Sequence, residues 1–222
     1  MGHREKLLAG AKRCLYERGY ARTTARDIVA ASGTNLASIG YHFGSKEALL
    51  DAAMIEAIDE WGDELERTLI TDTDVGSMDP IERFESMWTR VIESFETHRP
   101  LWVASFEGFM SAQRSPELRG QLAAGHEQAR FGLVALFQNM EERAVDKRLA
   151  RTVGSFYLAL MSGLIVQWLV DPERAPSGSD MAEALRTIVA SIRGSERPST
   201  NARHGPIEGT SATSGANEAP NR

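Results

Sequence analysis

In the segment Asn35-Leu36-Ala37-Ser38-Ile39-Gly40-Tyr41-His42-Phe43, small side chains stand where a surface helix would usually carry long charged ones. Ala37, Ser38 and Gly40 would let its backbone approach a neighbouring surface closely, while Thr34 and Asn35 place hydrogen-bonding groups at its start. Tyr41, His42 and Lys46 supply polar groups at the other end, with Arg22, Thr24 and Arg26 a short way upstream. Donors for phosphate at both ends, and small groups between them, suit a helix lying in the major groove of a DNA duplex. A helix that only had to pack would not need this polar rim.

Three local signals set the frame that holds these residues. Thr24 is placed to cap a short helix, with Asp27 three residues on completing a capping box and Gly33 ending it. Asn35 caps the next helix, whose Ile39 and Phe43 stand four apart before Gly44 stops it. Ser45 then caps a longer helix carrying Glu47 in its first turn and Ala48, Leu49, Leu50, Ala53, Met54 and Ala57 behind it. Ahead of all three, Leu7, Ala11 and Leu15 recur at helical spacing, which predicts a first helix over about His3–Arg18. The head is therefore a helical unit built around two short helices and a tight turn. That corner alone is a weak signal, because many helical bundles contain one.

The run from Thr24 to Leu50, and within it Tyr41-His42-Phe43-Gly44-Ser45-Lys46-Glu47-Ala48-Leu49, resembles the DNA-binding signature of the TetR family of bacterial transcriptional repressors. The resemblance implies an all-α fold: an N-terminal three-helix helix-turn-helix domain, then a helical ligand-binding and dimerisation domain. It implies phosphate contacts from Thr24, Tyr41, His42 and Lys46 and base contacts from Thr34, Asn35, Ala37 and Ser38. Gly40 departs from the pattern, since relatives often carry a larger residue there, commonly Tyr. The resemblance also implies a homodimer whose last two long helices form a four-helix interface, a palindromic double-stranded DNA operator, and release from it when a small-molecule effector binds.

The body reads as helical on its own evidence. Ile81, Phe84, Trp88, Val91, Ile92 and Phe95 share one helical face before Pro100; Trp102, Phe106, Phe109 and Met110 share another before Pro116. Leu118, Leu122, Ala129, Leu133, Phe137 and Met140 mark a long third stripe. The next helix is apolar on two faces, one carrying Leu149, Val153, Phe156, Leu160 and Leu164, the other Leu158, Met161, Ile165 and Trp168. Met181, Leu185, Ile188 and Ile192 make a last amphipathic helix. One face of each can complete the core while the other needs a partner, so Leu149, Val153, Phe156, Leu160, Leu164, Leu185, Ile188 and Ile192 are the candidate dimer interface. The expected division is residues 1–50 for DNA binding, 51–194 for ligand binding and dimerisation, and 195–222 as a disordered tail too polar to offset the entropy of ordering.

Candidate effector contacts are Trp88, Trp102, Phe106, Phe109, Met110, His126, Phe137, Met161 and Trp168, of which some must be plain core. His126 sits on an otherwise apolar stripe, either as a satisfied core histidine or as a polar group in a cavity. This lining, without a clustered basic site, points to an apolar or aromatic effector with a few polar handles.

Composition closes off other classes. The net charge of −6 conceals 8 Lys+Arg against 4 Asp+Glu through Leu50, so a basic head sits on an acidic body. A single cysteine, Cys14, offers no internal disulfide and reads as a packed helix residue; with no secretory signal at the N-terminus, a cytoplasmic setting is expected. Thr152–Val170 is uncharged and about long enough to span a bilayer, but Ser155, Ser162, Gln167, Gly154 and Gly163 interrupt it, so a helix buried on both sides by protein is expected rather than a membrane span. His3, His42, His98, His126 and His204 show no metal-ligand spacing, and neither a nucleophile elbow nor a phosphate-cradling loop is present. The chain is expected to be no enzyme and to carry no cofactor or metal. The remaining alternative is a ligand-independent DNA-bound structural or protein-recruiting factor, which a body without a cavity would favour.

Overall fold

A computed structural model describes residues 2–70 and 78–195. Local capping chemistry starts each helix of the head. α1 (His3–Arg18) ends against Gly19, and α2 (Ala25–Ser32) begins where the Thr24 hydroxyl accepts from the Asp27 amide and the Asp27 carboxylate accepts from the Thr24 amide. Gly33 turns the chain in the left-handed region at φ 63°, where a β-carbon would be strained. After it, α3 (Leu36–Phe43) starts on the Asn35 carboxamide, and α4 (Lys46–Ile70) starts as the Ser45 hydroxyl accepts from the Ala48 amide.

The body continues with α5 (Pro80–Thr97), α6 (Arg99–Ala112) and α7 (Pro116–Gln138), each with proline in its first turn, where the missing N–H has no helical partner to lose. Asn139 closes α7 in the left-handed conformation at φ 52°, so Met140 lies beyond its end. A short 3-10 turn at Glu142–Ala144 leads into α8 (Lys147–Val170), and α9 (Gly178–Ser195) follows. No strand occurs among the described residues.

Residues up to Leu185 form one unit, and the part of α9 from Arg186 belongs to a second. Within the first unit, buried side chains of the head (Leu7, Leu15, Ile28, Ile39, Leu50) and of the body (Trp88, Phe95, Leu101, Leu118, Trp168) belong to one continuous apolar cluster. Ile28 and Leu15 are wholly excluded from water, each contributing about 1.5–3 kcal/mol of transfer free energy. Cys14 is packed among them, and burial pushes its thiol pKa up.

α8 departs from expectation twice. Its second turn, Ala150–Gly154, is a π-helical segment, set where the backbone of Gly154 lies directly against the Arg130 carbonyl of α7. Within the protomer the helix is also not buried on both sides. Met161, Leu164, Ile165 and Trp168 enter the core while Phe156, Val166 and Val170 stay exposed, and only 33% of its most apolar stretch is buried. α8 is the one helix among the described residues long and apolar enough to cross a membrane. Leu164 accordingly sits in the protomer's own core, Leu149, Val153 and Leu160 are half-buried, and Phe156 alone of that stripe is open. On α9, Leu185 is half-buried and Ile188 and Ile192 are exposed. The expected tail lies outside the described residues beyond Ser195.

Candidate nucleic-acid interface and body site

α3 is anchored from one side. Ile39 is buried against the head core, Phe43 is half-buried with the Arg4 guanidinium 5.3 Å over its ring, and Ser38 is buried as well. At 100° per residue, Leu36, Ala37, Gly40 and Tyr41 then fall on the opposite arc, and all four are exposed. Tyr41 stands 86% exposed with its ring edge-on to His42 at 4.8 Å.

Much of the polar chemistry expected at the head of α3 is used inside the protein. Asn35 Oδ1 accepts from both the Ser38 amide (3.0 Å) and the Ser38 hydroxyl (3.2 Å), and Thr34 Oγ1 shares a 2.7 Å hydrogen bond with Ser32 Oγ. Burial removes Ser38 from the open arc; Ala37 remains on it. At the flanks, the exposed Thr24 hydroxyl donates to Asp27, whose carboxyl pKa is lowered by these hydrogen bonds, and His42 is half-buried. Lys46 Nζ donates to the Thr23 carbonyl at 3.1 Å and lies 3.4 Å from Glu47, which holds the ammonium beside the turn that precedes α2. Leu36, whose type reads as core, instead stands on the open arc.

A polar seam joins α1 to the body. Tyr20 donates to Asp51 Oδ1 at 2.6 Å, Tyr16 Oη lies 3.1 Å from His98 Nδ1, and the Ala21 amide donates to Glu107 at 2.9 Å. His98 lies between α5 and α6, and its side chain serves this seam. A cleft of 550 Å³ opens nearby, its walls including Arg4, His42, Glu47, Asp51, Arg114 and Glu117.

In the body the expected effector residues separate. Trp88, Trp102, Phe137, Met161 and Trp168 are core; Phe106, Phe109 and His126 are half-buried; Met110 is 70% exposed and faces solvent, away from any enclosed lining. Two aromatic groups form. In one, Phe84, Trp88, Phe137 and Tyr157 pack together, with Phe137 and Tyr157 stacked at 4.4 Å and Gln138 donating to the Tyr157 hydroxyl. In the other, Trp102 meets Trp61 edge-on at 4.6 Å and Phe95 at 5.9 Å, and Phe95 meets Trp168. The indole N–H groups of Trp88 and Trp102 are buried without an acceptor among the described residues. Such an unmet donor costs about 1–3 kcal/mol and is satisfied by any acceptor that reaches it. The sequence places Phe84 only on the apolar face of α5 and gives no sign of Tyr157 and Gln138, since Tyr157 lies between the two stripes assigned to α8 and only the α7–α8 crossing brings it to Phe137. His126 lies 5.7 Å from the Phe109 ring, and burial, with Arg130 adding to it, lowers its pKa. No metal-binding group of His, Cys, Asp and Glu occurs among the described residues.

A capped helix-turn-helix with an open, uncharged second helix on an all-helical body defines a class of DNA-binding regulator. The chain belongs to the TetR family: residues 7–53 match the description "Bacterial regulatory proteins, tetR family", and residues 79–192 match "Tetracyclin repressor-like, C-terminal domain". It is 31% identical over 88 residues to the HTH-type transcriptional repressor AcnR of Corynebacterium glutamicum, an alignment covering 40% of this chain and 47% of that protein, so the chain spans about half the length of this curated relative. Among solved structures, SCO7518 from Streptomyces coelicolor A3(2) shares the fold at a TM-score of 0.61 and 24% identity, covering 84% of this chain and 97% of that one. The multidrug binding protein EbrR, solved with proflavin, does so at 0.57 and 21%, covering 86% and 99%.

Proposed function

We propose that this protein is a cytoplasmic, dimeric transcriptional repressor, whose head (residues 1–50) binds a palindromic operator and whose body (51–194) releases it on binding a small molecule. The observation that carries the reading is the open arc of α3, free of charge, on a helix-turn-helix whose flanks hold Thr24, Tyr41, His42 and Lys46 for phosphates. Thr34, Asn35 and Ala37 stand at the end of α3 that enters the groove, with Ser38 holding Asn35 in place.

The exposed Phe156, Val166 and Val170 of α8 and, on α9, Ile188, Val189 and Ile192 support a second copy of the chain as the partner of each helix. A symmetric dimer presents its two recognition helices about one DNA turn apart, ~34 Å. An effector that favours a different separation shifts the population away from binding. The aromatic groups around Trp88 and Trp102, each with an unmet indole donor, support an aromatic effector bearing a hydrogen-bond acceptor. EbrR, of the same fold, was solved with the aromatic molecule proflavin.

The test is selection of bound duplexes from fragmented bacterial genomic DNA, followed by anisotropy titrations on the selected operator with and without a panel of aromatic compounds that includes proflavin. Symmetric protection of two half-sites, and release by a compound that also quenches Trp emission, are expected. Absence of sequence-selective binding would sink the DNA reading. Tight binding that no compound in a broad panel weakens would favour the recruiting factor.

A further inference from the structure

Reading of the operator by α3 rests on the DNA-binding function above; what α3 can read follows from its exposed chemistry. A recognition helix enters the major groove with its N-terminal residues toward the base edges. At that end the oxygen atoms are engaged within the protein: Asn35 Oδ1 accepts twice from Ser38, Ser38 is itself buried, and Thr34 is bonded to Ser32, while the Asn35 side chain otherwise stays exposed. Leu36 stands at the first position of the helix, 52% exposed, with the exposed Ala37 methyl beside it. One turn on, Gly40 has nothing within 4 Å of where a β-carbon would sit, so no side chain holds the helix off the duplex at that point.

Core packing does not explain Leu36. The anchoring of α3 is carried by Ile39 and Phe43, and an isobutyl group left half in water gains free energy when an apolar group covers it. Among the groups that base pairs present in the major groove, the one that matches it is the C5-methyl of thymine. The geometry points to Leu36, with Ala37 beside it, as a specificity-determining residue that selects thymine through its methyl group.

Replacing thymine by deoxyuridine removes that methyl and leaves base pairing and groove hydrogen bonding unchanged. In the operator selected from genomic DNA, each thymine is replaced in turn, symmetrically in both half-sites, and affinity is measured for the wild-type protein, Leu36→Ala and Leu36→Gln. Losing burial of one methyl group corresponds to about fourfold per half-site and about fifteenfold for a symmetric operator. At one thymine position the wild type is expected to show this loss, while both variants bind the thymine and uracil duplexes within twofold of each other. The proposal falls if uracil is tolerated within twofold at every position by the wild type, or if Leu36→Ala keeps the wild-type preference for the methylated base. If Leu36→Ala fails to fold, Leu36→Gln assigns the contact, and the ladder on the wild-type protein can still overturn the proposal. A wild type that binds no DNA selectively fails the underlying function instead, at the selection step.

Discussion

Tyr20→Phe removes the hydroxyl that bonds Asp51 in the seam between α1 and α4, with Ser111 of α6 as its second partner. The phenol donates to Asp51 Oδ1 at 2.6 Å, and the Asp51 residue is only 9% exposed, so water does not readily replace the lost donor. A hydrogen bond to a charged group contributes roughly 1.5–3 kcal/mol, and the phenylalanine ring refills the remaining volume, so the loss is expected near 2 kcal/mol at pH 7.5. For a chain of this size that lowers Tm by roughly 4–8 °C, compared at equal protein concentration because dimers unfold in a concentration-dependent way.

Burial raises the Asp51 pKa above the ordinary 3.8, Tyr20 partly offsets this, and Glu47 and Glu117 add to the rise. A carboxyl that holds its proton better in the folded state adds stability that is complete below 3.8 and is lost as pH climbs through the folded value. Tyr20→Phe removes the one offsetting contact, so the folded value rises further and the variant regains stability on acidification toward pH 5. Denaturant unfolding at pH 7.5 and pH 5 should therefore show a penalty that shrinks with acid, and in an Asp51→Asn background a smaller, pH-independent one. A penalty below about 0.5 kcal/mol at pH 7.5, or one as large at pH 5, would refute the reasoning.

Gly178→Ala should destabilise by about 1–3 kcal/mol in thermal unfolding, because a β-carbon there falls 2.6 Å from the Glu85 carbonyl oxygen and 2.7 Å from the Thr89 amide nitrogen; unchanged stability would deny the close approach of α9 to α5. Gly62→Ala, in the open middle of α4 with nothing within 4 Å, should instead stabilise by about 0.5–1 kcal/mol, and a loss would contradict a helix at that point. Lys46→Ala should weaken binding evenly across operators and flatten the dependence of log affinity on log salt by about one unit; an unchanged slope would deny a phosphate contact and leave Lys46 as a brace for the Thr23 carbonyl.

The head was legible because its determinants are local. A capping box needs Thr24 and Asp27 three residues apart, a left-handed turn needs Gly33, and α3 needs Asn35 at its start; each can be read in a window of four. What a window cannot give is the direction of a side chain relative to a surface formed elsewhere. Ser38 read as a free hydroxyl on a small-residue helix, yet the packing of α3 turns it into the protein, and the same rotation opens Leu36. The body shows the limit more plainly. A helix apolar on two sides satisfies two registers equally, and only contact with α5, α6 and α7 decides that Leu164 goes inward with Met161 while Phe156 stays out. The π-helical turn belongs with this: it falls at a crossing where Gly154 meets Arg130, residues with no common local pattern.

The seam between head and body shows why that long-range layer matters for control. Tyr16 reaches His98 across 82 residues of sequence, and the Ala21 amide reaches Glu107 across 86. His98 and Glu107 belong to the corner before α6 or to α6 itself, and Tyr16 and Ala21 lie at the end of α1 or just after it. α6 also carries Trp102, whose unmet indole N–H lies among Trp61 and Phe95. A ligand atom that accepts from that indole would bear on the same helix that holds α1. Coupling requires an element whose position both sites bias, and α6, like α4 with its Trp61 and Asp51, touches an aromatic group of the body on one side and the α1 seam on the other. Substituting Glu107 would then alter how far a ligand changes operator affinity, without entering either site.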